Sequence, residues 1–387
     1  MKKLILTALV FLISVNLKAQ ESQNVADLDF LYQSIQKLPS YKDQLKNDNG
    51  YRQLYDRLRK ELNTSDEFEV YQKLLQLIYP LKDNHLGLWR KPDSSYKFSY
   101  LKPELDLTQL ETKYADYPKD SLEGFYYNLN GSAKSIIYKS SENTYHLQNL
   151  TTKKVEAILT KTGNESFDAI KFLPSPGSYL LYRNVKLSNR ALIGLNYQKG
   201  SKQNFANLNT GALPYEYRKL EDQIGYLRLS NFRSSNENIK VATDFFDKVR
   251  PGINSQNLIV DLRNNGGGGY KTSSQFIEFL KKYKGKIYIL QNAYTMSNAE
   301  QFIINLQGAK NVVTLGETTK GTITYGSNQG NPLSLPSGRF VFYPTDMSGR
   351  AKDLAFESVG VKPQVLLDAF SGDWITQTIN YIKTNHP

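Results

Sequence analysis

From about residue 206 onward, strand patterns and helix patterns alternate. "IGYLRLSNF" reads as a strand, "NENIKVATDFFDKVR" as a helix, and "NLIVDLRNNGGGG" as a buried strand running into a glycine loop. "KTSSQFIEFLKKY" is helical, "KIYILQN" a strand, "SNAEQFIINLQG" a helix and "NVVTLGE" another strand. Such alternation commits a chain to βαβ units and to a sheet covered on its faces. The fold class expected is α/β, with residues 206–387 as its core. Ligand sites in such sheets lie at the C-terminal ends of the strands. Two segments, "DLRNNGGGG" and "NAYTMSNAE", fall there.

The rest of the chain is patterned differently. Residues 21–94 read as an N-terminal helical segment, because "ADLDFLYQSIQKL" and "FEVYQKLLQLIYPL" place apolar residues three and four apart. "KDNHLGLWRKPDSS" follows as a polar turn that carries His85 and ends the helical part. Residues 95–205 read as a β-rich middle module. Short runs of β-branched and aromatic residues there, such as "SIIYKS" and "GSYLLYRNV", are separated by Asn, Gly, Ser or Pro. Residues 1–20 have the layout of a signal peptide: Lys2 and Lys3, an apolar stretch from Leu4 to Val15, and Ala19 before Gln20.

No cysteine occurs among the 387 residues. That removes thiol catalysis, disulfides and a lipid-attachment cysteine, so the expected destination is the periplasm or the exterior, without a lipid anchor. The net charge of +12 includes Lys2, Lys3 and Lys18 of the leader. The lysines are dispersed, with no basic run of five, so nucleic acid is not an expected partner. A basic surface favours contact with anionic envelope material.

Ser297 carries two readings. With Glu300 it fits S-x-x-E, the capping box that opens many helices, and the apolar positions Phe302, Ile303 and Leu306 follow. A serine at a helix N-terminus beside a strand end is also well placed for a nucleophile. Four consecutive glycines, Gly266 to Gly269, cost conformational entropy and need a reason. A P-loop is excluded, because Asn265 and Tyr270 stand where G-x-x-x-x-G-K-[ST] requires glycine. A close approach of bare backbone N–H groups to a ligand remains, as does a tight strand-to-helix turn.

Five motifs in order resemble the tail-specific (C-terminal-processing) and tricorn-type serine peptidases. D-x-R-x-N-x-G-G is met by Asp261, Arg263, Asn265, Gly267 and Gly268, and S-x-x-E by Ser297 and Glu300. G-E-x-T is met by Gly316, Glu317 and Thr319, E-x-x-G-V-x-P by Glu357, Gly360, Val361 and Pro363, and D-x-H by Asp83 and His85. The resemblance covers residues from about 206 to 370 and the stretch around His85, and it implies a crotonase/ClpP-like βαβ core. The chain departs from the tail-specific branch at the general base. Thr322 occupies the lysine slot, and Lys320 lies two positions earlier. Serine, histidine and glutamate, the set of the tricorn-like branch, match Ser297, His85 and Glu357. No PDZ-type segment is evident.

The resemblance implies hydrolysis of peptide bonds in a peptide or unfolded protein, with no metal or other cofactor. Ser297 is the expected nucleophile and His85 the base. Of the other histidines, His146 lies in a strand and His386 is next to last. Glu357 is expected to orient the imidazole. The N–H of Asn298 and one from Gly267 or Gly268 are expected to form an oxyanion hole. The competing expectation is a weak or inactive peptidase-fold protein that binds a peptide, lipid or glycan.

Overall fold

The computed structural model describes residues 22–96, 103–115, 121–129, 131, 133–163, 165–200, 203–207, 213–327 and 331–385. The leader and His386 lie outside the described residues. Among those described, no helix is long and apolar enough to cross a membrane.

The α/β core is a six-stranded sheet. Its order is Tyr215–Glu221, Ile224–Leu229, Asn257–Asp261, Lys286–Gln291, Val312–Gly316 and Val365–Leu366, with only the first pair antiparallel. Every residue of Asn257–Asp261 is buried, as expected for a parallel strand covered on both faces. The strand's period of two divides it. Leu258 and Val260 pack with Ala242, Phe246, Phe276, Phe302 and Ile303 of three helices on one side. Ile259 packs with Ile382 of the C-terminal helix, Trp374–Asn385, on the other. Each such buried aliphatic side chain contributes roughly 2 kcal/mol.

The β-rich region supplies most strands of an eleven-stranded sheet and closes on itself, because Tyr179–Ser188 pairs with Ser166–Phe172 on one side and also with Ala191–Ile193. Ile137, Leu147, Leu159, Phe167, Val185 and Leu192 fill its interior. One helix in this region, Leu107–Ala115, was not expected.

The segment around His85 is not simply the polar turn expected from sequence. Gly87–Arg90 is a strand, between Phe340–Tyr343 of the core's C-terminal stretch and Tyr179–Ser188 of the barrel. The physical reason is apolar: Leu88 joins Tyr71, Leu74, Tyr179, Phe340 and Phe342 in one buried cluster beneath the N-terminal helices. The preceding helix, Glu67–Ile78, is capped by Asp66, which accepts from the Phe68 and Glu69 N–H groups. Residues 79–86 are therefore slung between a helix end and a strand start. Arg183 of the barrel, ion-paired to Asp168 at 3.0 Å, donates to the carbonyls of Ile78 and Leu81 in that sling.

Candidate active site

Strand Asn257–Asp261 delivers Asp261 to the C-terminal edge of the sheet. Arg263 turns back on it, with Nη2 to Oδ2 at 2.7 Å and Nε to Oδ1 at 3.0 Å, and Tyr226 donates to the same carboxylate. This pair is buried and carries no free valence for chemistry; it fixes the start of the glycine loop. Asn265 then ties that loop in three directions. Its Nδ2 donates to Leu229 O, its Oδ1 accepts from Gly267 N–H at 2.9 Å, and its carbonyl accepts from Met296 N–H.

The glycines are required by contact. At Gly267, with φ +85°, a Cβ would lie 2.6 Å from Ser297 Cβ and 3.0 Å from Asn298 N. At Gly268, with φ +140°, it would lie 1.7 Å from Phe232 O. The glycine loop thus presses its backbone directly against the serine. Of the two glycines expected as alternative donors, Gly267 gives its N–H to Asn265. The N–H groups of Gly268 and Asn298 have no hydrogen-bond partner among the described residues.

Ser297 precedes helix Asn298–Leu306 with φ 57° and ψ −125°. A helix N-cap ordinarily has extended backbone with negative φ, so this is a strained elbow held by its surroundings. Its N–H donates to Thr322 O at 2.8 Å and to Glu300 Oε2 at 2.9 Å. Glu300 therefore makes its half of the capping box. The Ser297 hydroxyl faces the other way, and its Oγ lies 3.1 Å from His85 Nε2. Of the cap reading, the Glu300 half is present, and the Ser297 hydroxyl lies beside the imidazole and not on the helix N–H groups.

Glu300 is completely buried. Beyond Ser297 it accepts from Thr319 Oγ1, Gly321 N–H and Thr322 N–H. Burial raises its carboxyl to about 7 even though these donors pull it down. It latches the 319–322 loop to the serine elbow, a role that the cap motif alone did not disclose.

His85 is partly enclosed, and burial lowers its pKa to about 4, so the ring is neutral at pH 7. Its Nδ1 is buried and has no hydrogen-bond partner among the described residues. Here an expectation is corrected. Glu357 does not hydrogen-bond the imidazole. Its Oε1 accepts from Asn84 N–H at 2.9 Å, and its Oε2 accepts from Ile323 and Thr324 N–H, both at 2.8 Å. A carboxylate so placed fixes backbone, tying the residue before His85 to the loop after Thr322. Asp83 is also buried and accepts from His85 N–H and Thr345 Oγ1.

Asn84, which sequence reasoning missed, and Thr319 of the G-E-x-T motif complete the frame. Asn84 donates through Nδ2 to Gly321 O and Ser358 Oγ. Thr319 bridges Glu300 and the Val361 N–H. Asn84 sits inside the D-x-H motif at its variable position, so no pattern marked it. Lys320 donates to Asn184 O, and no contact joins it to Ser297. Among the described residues, no group of three or more His, Asp or Glu could hold a metal ion.

Residues 223–282 and 269–367 match the model of peptidase family S41. No curated protein sequence matches the chain at a significant level. Solved structures align over most of it. A candidate peptidase from Parabacteroides merdae shares 15% identity, covering 94% of this chain and 97% of its own, at TM-score 0.46. The photosystem II D1 C-terminal processing protease shares 14% identity, over 89% of this chain and 93% of its own, at TM-score 0.39. The tricorn protease shares 14% identity, over 94% of this chain and 36% of its own, at TM-score 0.43. The stretch matched to peptidase family S41, residues 223–367, carries the glycine loop and Ser297.

Proposed function

We propose that this chain is an exported serine peptidase that cleaves peptide bonds through an acyl-enzyme on Ser297. The observation that carries the reading is the 3.1 Å approach of Ser297 Oγ to His85 Nε2 from a strained helix-start elbow. A serine hydroxyl attacks well only when a base takes its proton. His85 is neutral at pH 7 and accepts that proton at Nε2 as Oγ bonds to the scissile carbonyl carbon. The carbonyl oxygen becomes an oxyanion, and the N–H groups of Asn298 and Gly268 supply the hole, aided by the helix N-terminus. Collapse breaks the C–N bond, with the proton passing from His85 to the leaving amine. Water, deprotonated by the same nitrogen, then releases the acid. Glu357 acts as a positioning residue for the Asn84–His85 backbone.

Export rests on the leader pattern of residues 1–20, and the substrate class is peptide or unfolded protein. The excess of Lys and Arg, 49 against 37 Asp and Glu, favours contact with an anionic envelope surface.

One observation favours a second reading, a slow catalyst or a ligand-binding protein on the peptidase scaffold. A ring that accepts at Nε2 carries its proton on Nδ1, and that donor lacks an acceptor. The test is labelling by a fluorophosphonate and hydrolysis of an unfolded protein, with Ser297→Ala alongside. Loss of both in the variant is expected. A folded wild-type chain that neither labels nor cleaves would move the binding reading ahead.

A further inference from the structure

Strand Tyr179–Ser188 belongs to the barrel, yet its alternate side chains dock on the loops behind the serine. Asn184 Nδ2 donates to the carbonyls of Lys320 at 2.7 Å and Gly321 at 3.2 Å. Lys186 Nζ donates to the carbonyls of Val359 at 2.7 Å and Thr319 at 3.3 Å. Ser188 Oγ donates to Glu317 Oε2 at 2.6 Å. Positions 186 and 188 share one face of the strand by its period of two, and Asn184 stands at the bulge just before them. Asn184 itself has φ 51°, a conformation that asparagine tolerates better than most residues. Lys320 Nζ returns a hydrogen bond to Asn184 O.

The segment so gripped is the one the site depends on. Gly321 and Thr322 N–H bind Glu300, and Thr322 O accepts from Ser297 N–H. Val359 lies two residues after Glu357, whose carboxylate holds Asn84 N–H. Lys186 thus joins, through two carbonyls, the loop behind the nucleophile to the loop behind the base.

We propose that Asn184 and Lys186 are positioning residues, through which the barrel holds the 319–321 and 357–359 loops in the register where Ser297 Oγ meets His85 Nε2. The proposal rests on the serine-peptidase reading and assigns the β-rich region a part in it. The charge on Lys186 strengthens both of its hydrogen bonds. Burial lowers the ammonium to about 8, opposed by Glu300, Glu357 and Glu165. Its cationic neighbour Lys320 is lowered to about 8 as well, by burial and by Lys186. Glu317, also beside it along the same cleft, is raised by burial.

A depressed lysine pKa means that the unfolded chain binds more protons between about 8 and 10.5, so this group adds global stability as pH rises through that window. Positioning has the opposite sign, since the charge-assisted hydrogen bonds weaken there. The readout is the rate at which a fluorophosphonate labels Ser297 between pH 6 and 10, with melting temperature followed in parallel. In the wild type, labelling should fall through about pH 8 without a matching drop in melting temperature. Lys186→Arg, charged throughout, should hold its rate flat across that range. Lys186→Met should label about ten-fold slower than the wild type at about pH 6–7 and show no alkaline fall, and Asn184→Ala should label about ten-fold slower with the alkaline midpoint unmoved. Wild-type rates in both truncations would overturn the proposal. So would an alkaline midpoint that persists in Lys186→Arg, which would assign it to Lys320. Absence of labelling in the wild type at any pH would instead sink the serine reading, and the proposal with it.

Discussion

The two halves of the candidate site are built by different means. The Ser297 half lies within the α/β core, where the glycine loop, Glu300 and Thr322 fix its backbone from three sides. The His85 half arrives from 212 residues away, on a sling between a helix and a strand, and among the described residues its ring has one hydrogen-bond partner. Backbone contacts therefore fix Ser297, while His85 depends on what holds the chain on either side of it. The difference teaches where each half is vulnerable. Damage to the core should misplace Ser297 itself, and damage to Glu357 should spare Ser297 and move His85.

Gly267→Ala is the largest expected break. Its methyl would enter the space of Ser297 Cβ, Met296 O and Asn298 N at a φ that alanine resists. Misplacing a reacting atom by about 1 Å costs on the order of a hundred-fold in rate, so fluorophosphonate labelling should fall at least that far. Near-normal labelling in a folded Gly267→Ala chain would show that the elbow is not held by this contact.

The two buried glutamates sharpen the comparison. Glu300→Gln puts an amide N–H₂ among four donors, from Ser297, Thr319, Gly321 and Thr322. Leaving buried donors without an acceptor should lower unfolding stability by about 3 kcal/mol, read from a urea midpoint. Glu357→Gln faces three N–H groups and should cost about 2 kcal/mol while slowing labelling about ten-fold. If Glu357→Gln loses stability but labels at the wild-type rate, Glu357 holds the fold and not the base.

How much of this was legible in the sequence follows the same division. Strand and helix periods in the core announced the sheet, because a strand buried on both faces has to be apolar throughout, as Asn257–Asp261 nearly is. Ser297 and the glycines were legible because a helix start after a strand and four glycines are local features. The Glu357 role was misread, since the sequence shows a carboxylate but not that three backbone N–H groups converge on it. The choice between Gly267 and Gly268 was left open for a similar reason: the side chain two residues before Gly267 takes its N–H. Strand Gly87–Arg90 was hidden by its short length and polar flanks, and only its partners from residues 179–188 and 340–343 make it a strand. Asn184 and Lys186 carried no local mark at all. Their meaning comes from a docking between segments more than a hundred residues apart.

The smallest expected effect tests the open Nδ1 of His85. Burial lowers the ring to about 4 from an ordinary 6.5, so the unfolded chain binds the proton first as pH falls. Stability from this group is complete above about 6.5 and is lost progressively from there toward 4. For a ring that is only partly enclosed, screening leaves roughly 1–2 kcal/mol of this, visible as an acid shift in melting temperature that His85→Gln should flatten. Labelling of Ser297 should stay flat from pH 7 down to about 5, because the base remains neutral. A triad-like carboxylate on Nδ1 would act oppositely, holding the imidazolium and moving the acid limb up to 6.5 or beyond. An acid midpoint near 6.5 in the wild type would therefore mean that the ring acquires an acceptor in solution, and that the two halves of the site are more equally built than their hydrogen bonds indicate.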